Sequence, residues 1–212
     1  MEQKETNALW LFDEEAAREA GGIICGVDEA GRGPLAGPVF AACVILKPGA
    51  EIAYLNDSKK LSEKRRELIF KELLEGEKVW YGIGAATSKE IDHINILQAT
   101  FLAMNRAYEA MVKMAGFAPN RALVDGNRDP KIPVPSLTVV KGDGKSASIA
   151  AASVLAKVSR DHYMLRLDEQ YPQYQFAKHK GYPTRLHYEL IEEYGISPVH
   201  RLSFLKKLTG EV

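Results

Sequence analysis

The chain has 212 residues, and its 28 Lys+Arg balance 28 Asp+Glu, so the formal net charge is zero and a uniformly basic nucleic-acid coat is excluded. Hydrophobic residues at 46% and charged residues at 26% describe an ordinary globular chain, not a disordered or fibrous one. The longest apolar run covers residues 39–46, far short of the roughly 20 residues that span a bilayer, so no transmembrane helix and no membrane partner are expected.

Residues 1–20 predict a helical N-terminal extension, loosely attached, with Leu9, Leu11, Phe12 and Ala16 near helical spacing. Acids precede any apolar stretch there and no small-residue cleavage site follows one, so no secretory signal is expected and the protein is placed in the cytoplasm. A strand over 23–28 comes next, bounded by Gly21-Gly22 and a glycine-rich turn, then a second over 39–46, closed by Lys47-Pro48-Gly49. Cys25 and Cys43 lie within these apolar segments as small core residues, in a spacing that suggests neither a disulfide nor a zinc site. Ser62 opens a helix that runs through Arg66, Ile69 and Leu73, and a third strand occupies 79–86. The connections among these three strands favour an antiparallel meander.

A long helix starts at the capping box Thr87 and Glu90 and carries an apolar stripe through Ile91, Ile94, Leu97, Phe101, Met104, Tyr108 and Met111. Beyond it come a strand over 121–125, a polar and proline-rich connection, a strand over 136–140 and an alanine-rich helix over about 146–167. The tail, 182–208, predicts one or two helices divided near Gly195-Ile196-Ser197-Pro198. The sum is an α/β fold: a mixed central sheet, with the antiparallel meander followed by helix-connected strands, flanked by helices. The main domain is expected over 21–168, with a C-terminal helical segment, 169–212, packed on it and completing its site.

Zero net charge conceals segregation. Residues 1–30 hold two bases and eight acids, a net of −6, which leaves +6 for the remainder. Residues 56–66 contain Lys59, Lys60, Lys64, Arg65 and Arg66, and residues 171–187 contain Lys178, Lys180 and Arg185 with no acid, interleaved with Tyr171, Tyr174, Phe176 and Tyr182. Bases among aromatics suit a surface that touches phosphates and sugars, although a solvated amphipathic surface produces the same pattern.

Four carboxylates fall at or just past predicted strand ends, where α/β sheets build their sites: Asp28, Glu29, Asp125 and Asp143. Asp28 and Glu29 are consecutive, so their side chains serve one site only if the strand ends there, which Gly31 would allow. Any one of these acids alone reads as a turn or cap residue. Four together would repel one another and take up protons without a cation, so divalent-metal binding is the economical reading. An all-oxygen set favours Mg²⁺ or Mn²⁺ over zinc, and two such ions about 4 Å apart would suit phosphodiester cleavage. Two phosphate-loop readings fail. The glycines at 31, 33 and 37 precede a strand instead of a helix and carry the wrong spacing for a dinucleotide fingerprint. Gly144-Lys145-Ser146 lacks the leading glycine of a P-loop, since position 139 is Val139, and Asp143 would repel a phosphate. Gly31-Arg32-Gly33 would let the backbone approach a ligand closely, with the arginine in reach of a phosphate or ribose; a tight turn with a solvent-facing arginine accounts for it equally well.

The run Gly26-Val27-Asp28-Glu29-Ala30-Gly31-Arg32-Gly33-Pro34-Leu35-Ala36-Gly37-Pro38-Val39 resembles the signature of bacterial ribonuclease HII, the type 2 ribonuclease H. The resemblance extends through Asn56-Asp57-Ser58-Lys59-Lys60-Leu61, Val124-Asp125-Gly126-Asn127, Lys141-Gly142-Asp143, the alanine-rich helix with Ser159-Arg160-Asp161, and His179-Lys180-Gly181-Tyr182-Pro183-Thr184. It implies an RNase H-like fold and endonucleolytic cleavage of the RNA strand of RNA–DNA hybrids, including nicking 5′ of single ribonucleotides in duplex DNA to leave 3′-hydroxyl and 5′-phosphate ends. Carried over by motif, Asp28, Glu29, Asp125 and Asp143 would be the catalytic carboxylates holding two Mg²⁺ or Mn²⁺ ions. Gly31, Arg32 and Gly33 would read the ribose at the RNA-to-DNA junction, Tyr182 would pack on a sugar beside it, and Ser58, Lys59 and Lys60 would contact backbone phosphates. Asp161 is set aside as a helix or ion-pair residue. Related type 3 enzymes lack the arginine between the glycines, so Arg32 favours type 2. A monomer suffices for this reading. The rivals are a non-catalytic nucleic-acid-binding protein on the same fold, which has no use for four strand-end acids, and a nucleotide-binding ATPase, which needs the phosphate loop that fails above.

Overall fold

The apolar run at 39–46 is continuous because the strand it forms is covered on both sides. In a computed structural model, which describes residues 2–53, 55 and 61–209, it becomes β2 (Val39–Leu46), antiparallel on one side to β1 (Ile24–Ala30) and on the other to β3 (Val79–Ala86). β4 (Arg121–Asp125) adds parallel to β1, and β5 (Ser136–Val139) adds parallel to β4, giving the order β3-β2-β1-β4-β5. Val39, Ala41, Cys43 and Ile45 of β2 face a core shared with helix α3 (Ser88–Ala115), while Ala42 and Val44 face helix α4 (Ala147–Gln170) on the opposite side. Cys25 and Cys43 are buried free thiols in the α3 layer. No helix among the described residues is long and apolar enough to cross a membrane.

Two boundaries differ from those expected. β1 runs on to Ala30, because its pairing with β2 continues through Ala30 opposite Phe40 after its pairing with β4 has ended at Val27 opposite Val124. Helix α3 is broken at Asn95, whose φ is 67°. The Asn95 side chain accepts hydrogen bonds from the backbone N–H groups of Leu97 and Gln98 at 3.0 and 3.2 Å, so it caps a second helical segment. The buried face is rephased as a result: Ala99, Thr100, Ala103 and Ala107 point inward beside Met104, Tyr108 and Met111, and Leu97 is only half-buried.

Helix α4 lies almost against the sheet. Its first turns are nearly all small and buried, including Ala147, Ala150, Ala151, Ala152 and Ala156, and a Cβ added at Gly26 of β1 would stand 2.2 Å from the carbonyl carbon of Ser148. Only glycine permits that approach. The start of α4 is fixed by Ser146, which caps Ile149 N–H, and by Asp13 of α1 (Glu2–Ala20). The buried Asp13 carboxyl accepts hydrogen bonds from Ser146 Oγ at 2.5 Å and from Ser148 N–H at 2.7 Å. Burial raises its pKa above the ordinary aspartate value. Leu9 and Ala16 bury the same face of α1, so the extension is tied down at a polar point inside an apolar seam.

The chain then passes through α5 (Phe176–His179), α6 (Arg185–Tyr194) and α7 (Leu202–Thr209), with α2 (Glu63–Glu75) lying beside α4 on the other flank. Tyr174 and Phe176 are core residues here, so of the basic and aromatic stretch at 171–187 these two rings do not reach a surface. Around them sit His179, His187 and His200, all buried. Ser197 N–H donates to His200 Nδ1 at 3.0 Å, so the His200 proton is on Nε2, which donates to His187 Nε2 at 3.1 Å. His187 therefore carries its proton on Nδ1 and donates to the Tyr182 carbonyl at 3.0 Å. His179 accepts from Gly181 N–H through Nδ1 and donates to the Tyr174 carbonyl through Nε2. Each imidazole is neutral by its bonding.

Removing the Asp13 acceptor strands a buried N–H and a hydroxyl at the start of α4. Asp13→Ala is expected to cost about 1–3 kcal/mol of unfolding free energy in urea titration, and Asp13→Asn, which keeps one acceptor, less. A second expectation concerns pH. Burial, with the repulsion a protonated His179 would exert, holds His187 down at about 4, and burial, with the repulsion a protonated His187 would exert, holds His200 at about 4. Unfolded histidine protonates near 6.5. Between these values the unfolded chain binds more protons, so this stabilisation is full above 6.5 and is lost as pH falls toward 4. Asp13 and Asp28, raised by burial, act in the opposite sense at the low end of the range. Melting temperature should therefore fall on acidification from pH 7 to 4.5, with a shallower slope in His200→Gln; equal slopes would show that His200 takes up its proton as readily in the folded chain as in the unfolded one.

Candidate active site

The parallel pairing of β1 with β4 ends at Val27 opposite Val124, so the next residue on each strand, Asp28 and Asp125, stand side by side. Both point to the α4 face, because Val27 and Val124 belong to the α3 core and side chains alternate. Asp28 Oδ1 accepts Glu29 N–H at 2.7 Å, and its carboxyl is also hydrogen-bonded by the Ser153 hydroxyl from α4. Burial, the charge of Glu29 and the charge of Asp125, in that order, push the Asp28 pKa well above the ordinary carboxylate range. Asp125 Oδ1 accepts Gly142 N–H at 2.6 Å, and this bond pins to β4 the short 3₁₀ turn Gly142–Gly144, on which Asp143 is buried.

Glu29 alternates away from Asp28 because β1 has not ended there. Its Oε1 lies 3.4 Å from Arg32 Nη1, in a partly exposed ion pair. Among the described residues, no three acidic, histidine or cysteine side chains are gathered closely enough to hold a metal ion as they stand. The donors nevertheless fit a hard divalent cation in kind. They are carboxylate oxygens, and the raised Asp28 pKa marks a place where negative charge is crowded without enough compensation. Asp161 pairs with Lys157 one turn earlier at 2.7 Å, as a helix ion pair.

The segment 31–38 leaves β1 at Gly31, whose φ of 95° is left-handed and where a Cβ would collide with Arg160 Nε at 2.0 Å. Two buried arginines hold the segment by its carbonyls. Arg201 donates to Gly31 O at 2.7 Å, Arg32 O at 3.0 Å and Gly37 O at 2.8 Å. Arg160 donates to Pro38 O at 3.2 Å and Ala36 O at 3.3 Å. Burial, then the neighbouring Arg160 charge, lowers the Arg201 pKa to about 9. Tyr182 is 41% exposed and lies across the segment: its Cε1 is 4.0 Å from the position of a Cβ on Gly33, and Arg160 lies 5.7 Å from its ring centre.

The structure thus brings Asp28, Asp125 and the Asp143 turn together on one face, and Gly31, Arg32, Gly33 and Tyr182 together beside them. Ser58, Lys59 and Lys60 lie outside the described residues. Sequence reasoning missed Ser153, Arg160 and Arg201. The serine within the alanine run 150–152 and 156 was a usable signal for the first. An arginine on a helix or in a turn reads as solvated, and nothing local distinguishes these two.

The family model for ribonuclease HII matches residues 25–207. Ribonuclease HII of Dechloromonas aromatica is 57% identical over 183 residues, which cover 86% of this chain and 91% of that protein. Ribonuclease HII of Clostridioides difficile is 48% identical over 207 residues, covering 98% of this chain and 79% of that protein. The crystal structure of ribonuclease H2 from Pyrococcus horikoshii OT3 superposes with a TM-score of 0.68 at 27% identity, over 89% of this chain and 97% of that one. A five-stranded mixed sheet between helices, matched in this way, is the RNase H-like fold, and with that fold and these identities the chain belongs to the ribonuclease HII family of ribonuclease H enzymes.

Proposed function

We propose that the protein is a divalent-metal-dependent endonuclease that hydrolyses the RNA strand of RNA–DNA hybrids and nicks 5′ of single ribonucleotides in duplex DNA, leaving 3′-hydroxyl and 5′-phosphate ends. The observation that carries the reading is the side-by-side placement of Asp28 and Asp125 just past the last parallel pair of β1 and β4, with the Asp143 turn bonded to Asp125. Asp28, Glu29, Asp125 and Asp143 would hold two Mg²⁺ or Mn²⁺ ions, which supply an activated water and offset charge on the departing 3′-oxygen. A purely binding protein gains nothing from a buried carboxyl held in this way.

The ribose would be read by the 31–33 loop. The carbonyls of Gly31 and Arg32 point inward to Arg201. Because a trans peptide sets N–H opposite to C=O, the N–H groups of Arg32 and Gly33 point outward as a pair of donors. They suit the oxygen of a 2′-hydroxyl, the group that distinguishes RNA from DNA, and the exposed Tyr182 ring offers a flat face to the adjoining sugar. Arg32, half-exposed beside Glu29, would reach a neighbouring phosphate.

The test is a DNA duplex with one embedded ribonucleotide, incubated with Mg²⁺ or Mn²⁺ and, in parallel, with chelator. A single nick 5′ of the ribonucleotide, abolished by chelator, is expected; binding without cleavage under all metal conditions would favour the non-catalytic reading. Asp125→Asn should fall below about a hundredth of wild-type rate, since even outer-sphere changes at metal sites cost 10–100-fold, while duplex affinity stays within a few-fold. A fully active Asp125→Asn protein would overturn the assignment. Arg32→Ala should lose about tenfold on the single-ribonucleotide duplex, the worth of one charge-assisted hydrogen bond, and less on a long RNA tract. Equal losses on both substrates would remove the loop from junction reading.

A further inference from the structure

Arg201 and Arg160 are 0% and 1% exposed, and burying a guanidinium is unfavourable unless its donors are satisfied. Here five main-chain carbonyls, all in the segment 31–38, accept from Nε and Nη2 of Arg160 and from all three nitrogens of Arg201, while Arg160 Nη1 has no hydrogen-bond partner among the described residues. The division of labour is uneven. Arg160 takes the far end of the segment, at Ala36 and Pro38. Arg201 spends all three of its nitrogens, two of them on the consecutive carbonyls of Gly31 and Arg32. Those two peptide planes are the ones whose N–H groups face outward, so a single side chain, 170 residues away in sequence, sets the direction of both donors.

Arg201 is itself held on three sides. Its N–H donates to Leu35 O at 2.8 Å, its guanidinium lies 5.3 Å from the Phe204 ring centre, and the preceding residue pairs as a β-bridge with Ala36. That preceding residue, His200, also begins the chain of bonds through His187 to the Tyr182 carbonyl. One dipeptide, His200-Arg201, therefore connects both to the glycine loop and to the Tyr182 backbone beside it. We propose that Arg201 is a positioning residue for ribose discrimination: it touches no substrate, and it fixes the 31–33 peptides so that the Arg32 and Gly33 N–H groups present a preformed pair of donors. The proposal rests on the reading of that loop as the ribose-binding element.

The experiment compares wild type with Arg201→Lys, Phe204→Leu and Arg32→Ala, measuring kcat and KM on a duplex with one ribonucleotide and on a hybrid with a long RNA tract, alongside thermal melting. Lysine offers a point donor where three directed bonds are made, so it cannot orient both peptides. Arg201→Lys should raise KM on the single-ribonucleotide duplex about tenfold and narrow the preference between the two substrates, in the same direction as Arg32→Ala. Phe204→Leu, which removes only the ring against the guanidinium, should give a smaller shift of the same kind, and it decides the matter if Arg201→Lys does not melt cooperatively. A merely structural role would lower the melting temperature and reduce kcat equally on both substrates, with KM and the preference unchanged; that result overturns the proposal. If Arg32→Ala shifts the preference and the folded Arg201 and Phe204 variants do not, the proposal alone fails. If none of the three shifts it, the loop does not read the ribose and both fall.

Discussion

The contact on which the site depends is the near-touching of two backbones where α4 crosses β1 at Gly26. From that crossing, Asp28 is two residues along the strand, about 7 Å, and Ser153 is five residues along the helix from Ser148, about 7.5 Å. The two displacements are nearly equal, so a helix seated at backbone distance brings the Ser153 hydroxyl onto the Asp28 carboxyl. The same seating puts the start of α4 next to the turn that carries Asp143 and lets Asp13 bond Ser146 and Ser148. A side chain at position 26 would lift the helix by ångströms and separate all of these at once. The alanines of α4 serve the same end, since larger residues there would hold the helix off the sheet.

This arrangement works against stability at one place. Crowded carboxylates on a buried strand end are unfavourable, and the raised Asp28 pKa expresses it. The surroundings compensate with interactions of high order: a serine hydroxyl on Asp28, a backbone N–H on Asp125, an arginine near Glu29. A departure from ordinary burial rules concentrated at the ends of adjacent strands, with the rest of the sheet conforming, is what a working site looks like in an otherwise consistent fold.

Legibility in the sequence followed the range of the interaction. β2, β3 and β4 were readable to the residue because their ends coincide with local punctuation, and the Thr87 and Glu90 capping box is a local device. The end of β1 was misplaced because Gly31 looks like a terminator, whereas pairing with β2 carries the strand to Ala30. The break at Asn95 escaped because asparagine is tolerated in a helix and its capping role needs only two neighbouring N–H groups. Asp28, Glu29, Asp125 and Asp143 were singled out by their place at or just past expected strand ends, although Asp28 and Glu29 lie within β1 where its pairing with β4 has stopped. Asp13 and Arg201, by contrast, act across 133 to 135 and 164 to 170 residues, and no window of sequence contains both partners. The aromatics at 174 and 176 misled in the other direction, since bases around them suggested a surface and the rings are core.

The choice of arginine behind the glycine loop follows from what the loop needs. Inward carbonyls require donors only, so a carboxylate, amide or hydroxyl partner would bring acceptors that find no match in the interior. The donors must also remain protonated beside a second buried cation. Burial and Arg160 bring Arg201 to about 9, still well above neutral pH. A lysine begins near 10.4 rather than above 12, so the same environment would carry it toward neutrality and part of the population would lose the charge. Some of the +6 carried by residues 31–212 is therefore spent inside the molecule, behind the segment that follows the acids of β1, and not on the surface. The acids of β1 and the buried arginines behind the loop that follows them are thus charges of opposite sign set close together in a chain whose formal net charge is zero.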